Sequence, residues 1–355
     1  MKGFSQLLSF FLLAQLPMYT LGDSKVTSLE ATRSEWSTYR FPLFEGESPA
    51  LDRINTYLHV LELDSLPGSF EQSPFEQVWP KEGEGPGVTS LDYEIHAQTA
   101  GFVSLDIMSE YVGAYLSLGS SSYAFELTDG QPLSLPALLS EPGLQRLRER
   151  LSEARVARIE EFLAQLATDA PGEDAEFAAI QRDMYEHCLP RLRDTGLEQD
   201  RLVLEKTQLT LIAGRCSAHA VRALDDLGEF ANSFAYAELA EDLSPYGRCL
   251  LLELRGDCAN LRKPQIAGVY RGDMDHQPIL VITPPSADGS SRALYFSDDR
   301  ARMVELSVQH SDDGNLAKLK NLADESAISE LRLGPAGRLS GTWNGAEGPQ
   351  SVSLR

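Results

Sequence analysis

This chain has no catalytic or metal-binding signature of good specificity. There is no Cys-x-x-Cys, no His-x-x-x-His and no His-Glu-x-x-His, so a zinc ion finds nothing at ligand spacing. Gly-x-Ser-x-Gly is also missing, and no cofactor motif is legible. Basic residues are scarce: 31 Lys and Arg stand against 53 Asp and Glu, a net charge of −22. That balance excludes a nucleic-acid binder, which needs clustered cations to neutralise phosphates, and it disfavours an anionic membrane surface. Past residue 22 no apolar run approaches the roughly 20 residues that a membrane-spanning helix requires. Cysteine is scarce too, at four.

Residues 1–22 carry one charge, Lys2, then an apolar stretch from Leu7 to Leu16, Pro17, and a small-residue exit at Thr20-Leu21-Gly22. This is the plan of a cleavable signal peptide, and it places the start of the mature chain near Asp23. No cysteine follows the leader, which argues against a lipid anchor. The expectation is a periplasmic or secreted bacterial protein with no stable membrane insertion after cleavage. Losing Lys2 takes the net charge from −22 to −23.

Outside the cytoplasm an even cysteine count reads as a disulfide framework. Cys188, Cys216, Cys249 and Cys258 allow three pairings. The short gap between Cys249 and Cys258 suits a local staple, leaving Cys188 to tie a helix end to a strand through Cys216. The other two connectivities stay open, because spacing alone does not decide them.

The length left after the leader suggests two or three domains at about 100–200 residues each. The first region, near 24–260, reads as α+β. Tyr39–Phe44 makes a short aromatic strand, and Pro49 opens a helix with Leu51, Ile54, Leu58 and Leu61 on one face. Pro67 through Gly87 is rich in Gly, Pro and Glu and reads as a loose linker. Leu91, Tyr93 and Ile95, then Val103, Leu105 and Ile107, alternate as half-buried strands, and Tyr123, Phe125 and Leu127 do so again before Asp129-Gly130.

Ser140 caps a helix to Leu166 whose inward stripe is Leu144, Leu147, Leu151, Ala154, Phe162 and Leu166. A second helix runs from Glu173 to Cys188 with Phe177, Ile180 and Met184 inward. Strands follow at Leu202–Leu204, Leu209–Ile212 and Phe230–Tyr236, then a short helix near Glu238–Leu243. From 266 to 355 the pattern is pure strand, recurring about every ten residues with Asp288-Gly289 and Asp313-Gly314 turns, the mark of antiparallel hairpins in a small barrel or sandwich.

Two stretches resemble known modules. Phe41-Pro42-Leu43-Phe44 before a helix containing Ile54-Asn55, then Phe125 through Leu139 with its Thr128-Asp129-Gly130 turn and Leu133-Ser134-Leu135, then Leu209–Ile212 and Phe234–Leu239, are together similar to an extracytoplasmic α+β module. It occurs in the N-terminal region of some peptidoglycan deacetylases and in the outer part of lysozyme-sensing anti-sigma factors. The resemblance covers about Ser37–Leu243 and implies a binding module for a lysozyme-like protein or a peptidoglycan ligand. That family carries a Gly-Gly-Ala-His-like segment where this chain reads Gly119-Ser120-Ser121-Ser122-Tyr123, so no role tied to that histidine carries over. The deacetylase metal motif is missing as well. Gly268–Gly272 and Leu339–Trp343 resemble the ends of a small bacterial β-module often attached to cell-surface proteins.

No catalytic residue is assigned. Ser120–Ser122 lacks a partner base in sequence, and Asp273, Asp275 and His276 read as a hairpin turn before they read as a metal cluster. His310–Asn315 lacks the spaced acids of a calcium loop. Arg-Gly-Asp occurs at Arg255–Asp257 and Arg271–Asp273, where turn composition explains it. Among Trp36, Trp79 and Trp343, Trp79 in the polar linker is the candidate for ligand contact, and Trp343 reads as barrel core. The alternative function, a hydrolase of envelope polymers, would need an acid pair that sequence cannot pick from 53 carboxylates.

Overall fold

The computed structural model describes residues 25–81, 87–113, 116–166, 174–193, 196–197, 200–255, 257–263, 265–283, 291–297, 303–310, 316–321, 328–334, 337–345 and 348–355. The leader and the Asp288-Gly289 and Asp313-Gly314 turns lie outside them. The fold is α+β followed by an all-β barrel.

The first sheet runs in the order β1 (Lys25–Ser34), β2 (Ser37–Glu45), β3 (Gly87–Gln98), β4 (Phe102–Val112), β5 (Leu116–Glu126). Its pairs are antiparallel except β2 with β3, which is parallel because helix α1 (Pro49–Leu63) makes the crossover. Ser48 caps α1 by accepting from the Ala50 N–H, Pro49 supplies the first turn, and Asp64 ends it in left-handed conformation at φ 51°. Leu51, Ile54 and Leu58 are buried against Phe41, Phe44, Val103, Leu105 and Phe125. Asn55 explains its place in the Ile-Asn pair: its amide accepts from the Phe44 N–H at 3.0 Å and donates to the Phe44 carbonyl at 2.9 Å, clipping the helix to β2.

The stretch expected to be a loose linker is folded onto this core from Ser73 to Trp79. Phe75 is fully buried with its ring 5.2 Å from Tyr39. Polar composition is no bar here, since the Glu76 carboxylate accepts from the N–H groups of Glu71, Gln72 and Ser73 and so satisfies the turn.

After β5 the Thr128-Asp129-Gly130 turn reverses the chain. Gly130 has φ 71°, and a Cβ there would stand 2.2 Å from the Ala50 carbonyl oxygen, so turn and helix approach more closely than any other residue permits. A short helix α2 (Leu135–Leu138) leads to α3 (Glu141–Leu166), capped by Ser140 Oγ accepting from Gly143 N–H at 3.1 Å, and to α4 (Asp174–Arg193). Beside them stands a second sheet, β6 (Arg201–Leu204), β7 (Gln208–Ala213), β8 (Phe230–Ala235).

Three expectations hold only in part or fail in this region. On α3 Leu147 and Leu151 are buried and Leu144 and Phe162 pack against the core as expected, but Ala154 is exposed and Arg155 and Ile159 complete the inward stripe. On α4 Phe177 and Ile180 point to solvent and Gln181, Tyr185, Cys188 and Leu192 face inward. Residues 238–242 form consecutive turns, Leu243 bridges to Leu139, and helical structure comes only with α5 (Pro245–Gly247) and the wide turn Arg248–Leu252. Cys188 is bonded to Cys216 and Cys249 to Cys258.

Among the described residues eight strands close a barrel: β9 (Gly268–Met274), β10 (Gln277–Thr283), β11 (Ser291–Ser297), β12 (Met303–His310), β13 (Leu316–Asn321), β14 (Ile328–Leu333), β15 (Leu339–Gly345) and β16 (Gly348–Leu354). Closure, which decides barrel over sandwich, comes from β16 pairing with β9. Tyr270, Val281, Val308, Leu319, Leu331 and Leu354 fill its interior. The barrel is docked through the other side of its strands: Val269, Leu280 and Ile282 join the core of α1 and the first sheet, and Arg271 reaches Thr56 at 2.8 Å and Asp52 at 3.1 Å.

Candidate binding face

Alternation in β4 sends Val103, Leu105 and Ile107 to the buried side, so Ser104, Asp106, Met108 and Glu110 must occupy the other. β6 lies across part of that second face, where the Leu204 N–H donates to Ser104 Oγ at 3.1 Å. Toward Met108, Val112 and Leu118 the face is exposed among the described residues.

A polar cluster sits where cover gives way to solvent. The β3–β4 register shifts between Ile95 and Ala97, and this bulge sets His96 beside Asp106, with Nε2 3.3 Å from Oδ1. Ser122 lies directly across from Asp106 on β5. Ser120 Oγ donates to Asp106 Oδ2 at 3.4 Å, and Arg201 donates to Ser120 Oγ at 2.8 Å and, from its second nitrogen, to Glu229 at 2.8 Å. His96 Nε2 and Asp106 Oδ1 face each other, whereas Ser122 Oγ is buried with no hydrogen-bond partner among the described residues, a cost of about 1–3 kcal/mol that a ligand or water would relieve.

Toward the β4–β5 tip the same face becomes apolar and exposed. Leu118 is 61% exposed, and Met108 and Val112 lie near it by register. Glu94 and Glu110 stand on this face without ion-pair partners among the described residues. On the opposite side of β5, Glu62 accepts from the Tyr123 hydroxyl and from Ser121. Burial raises the Glu62 carboxyl above its ordinary range, against the lowering effect of those two hydrogen bonds.

Among the described residues Ser122 Oγ hydrogen-bonds to no base, and Ser120 Oγ donates to Asp106 and not to the His96 ring. A second concavity, an open groove of about 470 Å³ lined by Arg150, Glu153, Ala154, Asn232, Ser233 and Phe234, has the Arg150 guanidinium 4.6 Å from the Phe234 ring centre.

The residues singled out in sequence are scattered. Trp79 is half-buried, with the Arg33 guanidinium 4.8 Å from its ring centre and Tyr39 at 6.0 Å, so a sugar reaches that face only by displacing Arg33. Trp36 is 80% exposed at the β1–β2 turn, and Trp343 packs against the barrel core. Asp275 and His276 form the β9–β10 hairpin turn, both left-handed at φ 45° and 72°, and Asp275 Oδ1 accepts from the Ser351 N–H. Arg255 and Asp257 pair with each other at 2.7 Å. Cys249, Asp257 and Cys258 lie close enough to resemble a metal set, but both thiols are consumed in their disulfide. His96 and Arg201 were not anticipated; a bulge and a crossing strand bring them in, and neither leaves a mark in local pattern.

Fold and site together define an α+β protein with a docked β-barrel and one partly open sheet face. No family model and no curated protein matches the chain. Among solved structures it is similar to two members of the DUF3298 family. One is from Bacteroides fragilis NCTC 9343, at 12% identity and TM-score 0.41, covering 63% of this chain and 95% of that one. The other is from Pseudomonas aeruginosa PAO1, at 16% identity and TM-score 0.41, covering 63% and 97%. Likeness at that level carries no argument about chemistry.

Proposed function

We propose that this chain is an exported, non-enzymatic envelope protein that binds a lysozyme-like protein or a peptidoglycan component through the open face of β3–β5. The observation behind this is the juxtaposition on one face of exposed Met108, Val112 and Leu118 with the unpaired acids Glu94 and Glu110. A net charge of −22 favours a basic partner by steering its approach. Export is consistent with two disulfides and with the absence, among the described residues, of any helix long and apolar enough to cross a membrane. The hydrolase reading has no observation in its favour. The test is titration of the oxidised chain from residue 23 with lysozyme and, separately, with soluble peptidoglycan fragments at low salt. Saturable binding that weakens as salt rises is expected for the basic protein; no binding to either ends this reading.

A further inference from the structure

β5 is the terminal strand of the first sheet, and from Ser117 to Ser122 its backbone pairs, among the described residues, with β4 alone. Beyond that point the edge is occupied by the chain itself. Leu133 N–H donates to the Ala124 carbonyl at 2.8 Å and Glu126 N–H to the Gln131 carbonyl at 3.0 Å, with Phe125 bridged to Pro132. Residues 131–133 therefore begin a sixth strand, antiparallel to β5, which stops when the chain turns into α2. The stretch 117–122 lies in line with it; β6 packs against β5 there with Arg201 donating to Ser120 Oγ, but among the described residues no backbone group pairs with its outer edge.

Natural sheet edges are usually guarded by Lys, Pro, a bulge or a covering element. Residues 117–122 read Ser-Leu-Gly-Ser-Ser-Ser, without charge or proline, and pair with β4 without a register shift.

We infer that this edge accepts an extended segment of a basic partner as the sixth strand of the sheet. Side-chain alternation specifies the segment. A residue beside Leu118 lies on the open face against Leu118 and Met108 and should be aliphatic. A residue beside Ser121 lies on the other face next to Glu62, which has no cationic partner among the described residues, and should be Lys or Arg. A second copy of this chain fits poorly, because edge-to-edge pairing would bring Glu62 and Glu110 of two acidic molecules together. The inference rests on the binding reading above and names the mode of binding.

The test uses the oxidised full chain and a ten-residue peptide of alternating valine and lysine, with two control peptides N-methylated at alternate residues so that one or the other hydrogen-bonding edge is blocked. Expected are binding by fluorescence anisotropy, slowed amide exchange confined to residues 117–122, and loss of binding with one N-methylated peptide. Leu118→Lys should weaken the peptide at least about tenfold by adding an edge charge, and Leu118→Val should retain it. Leu118 is exposed, so both variants should keep the parent's melting temperature. Slowed exchange elsewhere, equal binding of all three peptides, or concentration-dependent dimerisation in place of peptide binding overturns the inference. If lysozyme or peptidoglycan fragments bind the parent chain saturably while the valine-lysine peptide does not, the open-face reading survives and the edge does not. A chain that binds none of these probes removes both.

Discussion

Arg155 is a charged residue with its side chain 1% exposed, inside a helix. It is held there by a two-pronged bond to Asp200, at 2.7 and 3.3 Å, and by donation to Asn232 at 3.2 Å. Arg155→Ala leaves the Asp200 carboxylate buried and alone, so urea unfolding should report a loss of about 3–5 kcal/mol. Arg155→Met combined with Asp200→Leu should lose far less, because no charge is stranded. Other buried carboxyls set the pH response. Burial raises the Glu62 and Glu126 carboxyls, so the folded form holds their protons more tightly than the unfolded chain. Stability from these groups is complete below the ordinary carboxylate range and is lost as pH rises through their raised values. Glu62→Gln should therefore raise the melting temperature at neutral pH and leave it little changed in acid. Asp225 moves the other way: burial opposes its charge, but Ser217, Tyr185 and the Gly228 N–H all donate to it and hold it below its usual range. Its contribution is present above that range and lost as pH falls, and Asp225→Asn should flatten the acid limb of the same melting curve.

Elements differ in how they are pinned. The Cys188–Cys216 bond ties the last turns of α4 to the segment after β7 across 28 residues, whereas Cys249–Cys258 closes a separation of 9. Loop entropy gives about 3.6 and 2.7 kcal/mol for loops of those sizes, so replacing the first pair by alanine should cost the more in denaturant titration. Strands were the legible elements. All eight barrel strands follow from apolar runs at regular spacing, and Leu105 and Ile107 mark which face of β4 is buried. Helix faces were less so. Phe177 and Ile180 looked inward on α4 because apolar residues at helical spacing are read as core, but the buried stripe is carried by Gln181 and Tyr185, whose polar atoms meet Leu224, Asp226 and Asp225. The same holds on α3, where Ala154 and Arg155 exchange roles because Asp200 and Asn232 await the guanidinium. The binding face was legible only as polar alternation; His96 arrives by a bulge and Arg201 from a strand distant in sequence, and long-range geometry of that kind has no local signature.

At the scale of the molecule, barrel and first sheet share a core. Val269, Leu280 and Ile282 lie among the side chains of α1, and Arg262 bridges Asp129 and Glu126 beside them, the latter at 2.9 Å. Separating residues 266–355 would expose that apolar seam, so the fragment alone should aggregate while the whole chain melts in one calorimetric transition; two resolved transitions would show the seam to be weak. Closure of the barrel has a further consequence, for synthesis. Gly272 pairs with Ile279 of β10 within the hairpin but finds its second partner only when Leu354 has been made, and the Arg271 and Arg355 backbones then exchange hydrogen bonds at 2.9 and 2.8 Å. A chain emerging from its N-terminus can thus complete the first sheet early, but it must hold β9 with one side unpaired until β16 arrives. The barrel is a clasp fastened last, and a polypeptide halted before residue 348 would present an open strand to its neighbours in place of a closed wall.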